Sequence, residues 1–107
     1  MADGVFVTES LAKYKTLISE FLKGQISASD FQHRYLTMFK NEEPIGSQEV
    51  FDVLEYLFTS ADGYVADPES RRNLLAEHPE WRKYGQGLDD EELRADAREA
   101  YEQLFGG

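Results

Sequence analysis

The sequence predicts an all-α protein, an antiparallel four-helix bundle with an acidic loop after the third helix. Three observations carry this. Four stretches repeat apolar residues at the i, i+3, i+4, i+7 spacing of a buried helix face. No strand-like alternation persists anywhere. Two of the connections are short and one is long, which suits helices that return antiparallel to one another. With 107 residues and no internal repeat, the chain reads as a single domain, residues 1–107, large enough for one modest core.

Residues 1–7 read as a loose arm. Thr8 or Ser10 can cap a first helix, buried through Leu11, Tyr14, Leu17, Ile18, Phe21 and Leu22. Lys23 and Gly24 end it, a cation in the last turn followed by a residue tolerant of left-handed dihedrals. Ser27, with Asp30 three residues on, starts the second helix, a weaker form of the capping box. Phe31, Tyr35, Met38 and Phe39 face inward, and residues 41–44 close it.

Gly46 and Ser47 open the third helix, with Ser47 as N-cap. Val50, Val53, Leu54, Leu57, Phe58 and Ala61 make its buried stripe. Gly63, Asp67 and Pro68 then form a turn-rich exit. Residues 68–76 predict one or two helical turns, with Pro68 at the first position, where its missing N–H costs least. The next ten residues read as irregular, with Trp81 and Tyr84 packing the connection onto the bundle. The last helix runs from Asp89 to about Phe105, buried through Leu93, Ala97, Ala100, Tyr101 and Leu104.

Charge is the second strong signal. The formal net charge of −10 argues against nucleic acid or an anionic membrane as partner. It is unevenly spread: residues 1–47 hold six acids and five bases, residues 48–107 fifteen acids and six bases. Between Glu49 and Ser70 lie six acids and no Lys or Arg. There is no cysteine, hence no disulfide framework or thiolate metal site. The N-terminus lacks the pattern of a signal peptide, and no apolar run reaches the roughly 20 residues of a membrane span. The expectation is a soluble, cytoplasmic protein.

Enzyme signatures are missing: no GxSxG, Walker sequence, HExxH or GxGxxG occurs. A di-iron bundle needs two Glu-x-x-His pairs, and the nearest match, Asp30 to His33, is single and has the wrong acid. The expectation is no enzyme, no metal and no cofactor. The run from Asp89 to Glu92 reads first as helix capping, since carboxylates in a first turn oppose the macrodipole. Asp67 before Pro68 suits a cap equally well, and Asp62-Gly63 an ordinary turn. Yet the end of a packed helix fixes Asp62, Asp67 and Glu69 in space, and Tyr64 adds a rigid aromatic of the kind that makes hot spots. Carboxylates on a packed scaffold are what recognition of Lys, Arg or protonated His requires.

The segments LISEFLKGQISASDFQHRYLTMF, EVFDVLEYLFTSADGYVADPESR and GLDDEELRADAREAYEQLF, in that order and spacing, resemble the colicin D immunity family. The resemblance spans about residues 11–105. It implies a small helical bundle that protects a bacterium from a co-produced, tRNA-cleaving toxin. It further implies that the acidic loop plugs the toxin's basic active site in place of tRNA phosphates. Asp62 and Asp67 match the acids expected to meet the toxin's catalytic His and neighbouring Lys, while Glu55, Glu69 and Tyr64 flank them. Asp62 stands where a Glu is expected, and the 72–87 connection is longer than in the colicin D inhibitor. Bacteriocin and contact-dependent delivery both stay open. The physics points the same way, because a nuclease domain is cationic and an acidic partner gains electrostatic steering. The rival reading is an acidic helical adaptor that uses the same face on another basic protein.

Overall fold

A computed structural model describes residues 2–42 and 47–106. Among the described residues every regular element is helical: α1 (Ala2–Leu22), α2 (Ala28–Lys40), α3 (Gln48–Asp62), α4 (Pro68–Glu77), a 3-10 helix (Pro79–Tyr84) and α5 (Asp90–Phe105). Helix α1 packs on α2 and α5, and α3 packs on the same two; α4 packs on the 3-10 helix. Pro44 and Gly46, expected where α2 gives way to α3, lie outside the described residues.

Helix boundaries follow local chemistry. The α1 end is a Schellman arrangement: Gly24 takes φ +77°, its N–H donates to the Phe21 carbonyl, and Gln25 N–H donates to Glu20. Ser27 and Ser47 cap α2 and α3, accepting from the amides of Asp30 and Val50 at 3.0 and 3.3 Å. Asp89 and Glu92 make a reciprocal capping box on α5. One boundary departs from expectation. Helix α1 starts at Ala2, so residues 2–7 are helical where the sequence predicts an arm. A cap residue permits a start without enforcing one, and an existing helix extends at one hydrogen bond per residue fixed.

The core is built mainly from the stripes read from the sequence, joined by Ala28, Tyr64 and Leu88. Tyr14, Ile18 and Phe21 of α1, Phe31 and Tyr35 of α2, Leu54 and Leu57 of α3, and Leu93 and Ala97 of α5 are fully buried. Each large apolar side chain removed from water contributes about 1.5–3 kcal/mol. Phe21 stacks on Phe31 at 4.5 Å, and Tyr14 meets Tyr35 edge-on at 5.6 Å. The buried Tyr35 hydroxyl is satisfied by the Leu54 carbonyl at 2.7 Å, locking α2 to α3. Glu42, past the end of α2, accepts from the Tyr14 hydroxyl at 2.6 Å and pairs with Lys13 at 2.7 Å. Its side chain is only 7% exposed, so those two partners compensate a carboxylate taken out of water.

The stretch after α4 is more ordered than predicted. His78 stacks on Trp81 at 4.0 Å, and Arg82 reaches both the Gly87 carbonyl and the Glu92 carboxylate. That pairing ties the 3-10 helix to the first turn of α5 through one long side chain. The Tyr84 side chain lies outside what the structure describes.

Candidate partner-binding site

Helix α3 carries Glu49, Asp52, Glu55 and Asp62 and no base. All four are exposed. At about 100° per residue, Asp52, Glu55 and Asp62 fall on one side of the helix, opposite the buried Leu54, Leu57 and Ala61. Asp62 is the last residue of α3, where the macrodipole is negative and a carboxylate is disfavoured. No cation answers it in that last turn. The ion pairs among the described residues, Lys13–Glu42, Arg82–Glu92 and His78–Glu80, leave the α3 carboxylates out.

The turn after Asp62 is held from four directions. Gln32 of α2 donates its side-chain amide to the carbonyls of Ala61 and Tyr64, at 2.8 and 3.0 Å. The Ala61 carbonyl also accepts the Tyr64 N–H, so the Gln32 amide adds a second donor at the end of α3 and ties the turn beyond it to α2. The amides of Gly87 and Leu88 both donate to the Gly63 carbonyl, and Val65 N–H returns to Leu88. Arg71 of α4 donates to the Val65 carbonyl at 2.8 Å. The Tyr64 hydroxyl donates to Asp90 on α5. Gly63 is required by crowding, since a Cβ there would sit 1.8 Å from the Gly85 carbonyl oxygen.

The expected site residues divide. Glu55, Asp62 and Glu69 are exposed acids. Asp67 is exposed too, but its carboxylate is the N-cap of α4, accepting from the Ser70 hydroxyl at 2.7 Å and the Ser70 amide at 2.9 Å. Those bonds, the hydroxyl first, hold the Asp67 carboxyl below the usual range. Tyr64 is a correction. It is 6% exposed and belongs to the core, so its ring supports the turn from within and offers no aromatic surface. Burial, then the Asp90 hydrogen bond, raises its phenol. An aromatic between two acids in a turn looks exposed on sequence grounds; here the backbone bridge between Tyr64 and Leu88 turns the ring inward.

Two features of the surface take shape only in the tertiary structure. The start of α5 lies beside the α3–α4 turn, and Ala66, Pro68, Arg71, Asp89, Asp90 and Glu91 line a shared groove of about 330 Å³. The capping acids of α5 thus extend the negative surface around Asp67. The exposed large apolar side chains among the described residues are Phe51 and Tyr56, both on α3. Tyr56 donates to Asp96 at 3.0 Å, and burial together with the Asp96 charge pushes its phenol up to about 12. The signal for Tyr56 was present, since it falls outside the buried stripe, whereas Phe51, three residues before Leu54 and seven before Phe58, sits at the stripe's edge and reads as buried. Among the described residues no group of three His, Cys, Asp or Glu is placed to hold a metal ion, and no helix is long and apolar enough to cross a membrane.

Fold and surface together define an all-helical acidic domain whose carboxylate-bearing turn is fixed by its own scaffold. The profile of the bacterial self-protective colicin-like immunity family matches residues 9–104, and the chain belongs to that family. Its class is therefore that of immunity proteins, which bind a toxin rather than catalyse a reaction. No curated protein and no solved structure matches the chain.

Proposed function

We propose that the protein neutralises a cognate nuclease toxin, one that cleaves tRNA, by covering its basic active site in the cytoplasm of the producing cell. In this reading α1, α2, α3 and α5 form an antiparallel four-helix bundle of the colicin D type. Glu55, Asp62, Asp67 and Glu69 take the place of RNA phosphates. The observation that carries the reading is that Glu55 and Asp62 stand exposed on a helix without a base, beside a turn already fixed in shape. A fixed turn loses little entropy on binding, so more of the contact energy appears as affinity.

Magnitudes constrain how this works. Fully solvated ion pairs contribute about 0–1 kcal/mol each. Tight inhibition therefore needs carboxylates desolvated against the toxin's cations, where measured couplings reach about 1.5–7 kcal/mol for close pairs. The deciding experiment is a tRNA-cleavage assay with a nuclease toxin domain taken from a gene neighbouring that of this protein, with and without an equimolar amount of this protein. Arrest of cleavage with co-purification is the expected result. Unabated cleavage at saturating protein overturns the reading and leaves an acidic adaptor for another basic protein.

A further inference from the structure

We infer that the centre of the docking surface is the outward face of α3, with Phe51 and Tyr56 as aromatic anchors on either side of its acidic stripe, fitting a Lys/Arg-rich protein surface. This rests on the immunity reading and moves its energetic centre from the turn to the helix.

The geometry follows from helix periodicity. Setting Phe51 at zero, Asp62 falls at about 20°, Glu55 at about 40°, Asp52 at about 100° and Tyr56 at about 140° around the axis. The carboxylates therefore lie between the two rings. Phe51 leans toward α2, where it meets Phe39 at 5.8 Å, and Tyr56 toward α5, where it meets Asp96. Phe51 is 37% and Tyr56 46% exposed. A single exposed aromatic is ordinary on a soluble protein. Here both exposed large apolar residues of the described chain share one helix, and that helix has four acids and no base.

The occupant follows from the chemistry. Aromatic rings beside carboxylates accept the aliphatic stems of Lys and Arg on their faces, while the acids take the cationic heads. A second copy of this chain is a poor fit, because two molecules of net charge −10 repel. Size sets the role. From residue 51 to 62 the face is about 16 Å long, and an arc that wide covers only a part of the roughly 800 Å² each partner buries in a standard interface. The helix face is thus the hot-spot centre, and the α4 and α5 N-termini supply the rim.

The test measures affinity for the same toxin domain by calorimetry, with circular dichroism to verify that each variant is folded. Tyr56→Ala and Phe51→Ala each weaken binding about thirtyfold or more, the level of a hot spot. Glu55→Lys weakens it further, and Tyr56→Phe, which keeps the ring and loses the Asp96 bond, stays close to wild type. If Phe51→Ala does not fold, Tyr56→Ala decides. Wild-type binding with a folded Tyr56→Ala variant within threefold of it overturns this inference and spares the immunity reading, while Glu55→Lys reports on the acidic site that both readings share. Absence of wild-type binding overturns the immunity reading, and this inference with it.

Discussion

The Tyr64 hydroxyl donates to the Asp90 carboxylate at 2.5 Å, joining the turn after α3 to the first turn of α5 across 26 residues of sequence. One aromatic thereby fills the core, positions the acidic turn and occupies a carboxylate that would otherwise face solvent. Tyr64→Phe keeps the ring and removes the bond. It lowers stability by about 1–2 kcal/mol in urea unfolding and leaves toxin affinity within a few-fold. An affinity loss much larger than the stability loss would place the hydroxyl in the interface.

Gly63 is the tightest point of the structure. A methyl group there meets the Gly85 carbonyl oxygen, which is backbone and has no rotamer by which to withdraw. Gly63→Ala costs about 3 kcal/mol through overpacking, read as a drop in the unfolding midpoint. It also loosens the turn, so amide exchange at Gly87 and Leu88 quickens. A variant as stable as wild type would mean that residues 85–88 move aside freely.

Removing charge from the turn separates binding from folding. Asn is as good an N-cap as Asp, so Asp67→Asn retains α4, and Asp62→Asn relieves a carboxylate opposed to the α3 dipole. The double variant keeps its helical content and stability and loses several kcal/mol of toxin affinity in all. Unchanged affinity would exclude both acids from the interface. By contrast, Asp89→Ala breaks the capping box and costs about 1 kcal/mol of stability, with a smaller effect on binding.

Stability has an acid and an alkaline limit with opposite origins. Asp67, through Ser70, and Glu92, through Arg82, have folded-state carboxyls below their ordinary values. The unfolded chain therefore takes up protons first as pH falls. The contribution is complete above about pH 4–4.5 and disappears on further acidification. Tyr14, Tyr35, Tyr56 and Tyr64 are raised, in each case chiefly by burial. Their unfolded forms lose protons first, so stability falls as pH climbs above about 10. Helix loss and ionisation of these four phenols, followed residue by residue by NMR, should occur together in an alkaline titration; their ionisation well before unfolding would show that these hydroxyls are solvated.

Much of this molecule was determined by its sequence alone. The buried stripes of α1, α2, α3 and α5, the caps Ser27, Ser47 and Asp89, and the stop at Gly24 are all local signals, set by backbone periodicity and by hydrogen bonds within a few residues. Net charge and the base-free run from Glu49 to Ser70 are equally visible without coordinates. Tertiary structure decided the rest. It turned Tyr64 inward, placed Gln32 over the end of α3, and brought residues 85–90 against the turn. It also left Phe51 and Tyr56 outside. Each of these depends on contacts between residues distant in the chain or on which face a neighbouring helix covers. No local periodicity encodes such contacts, because a helix exposes every side chain until another element packs against it.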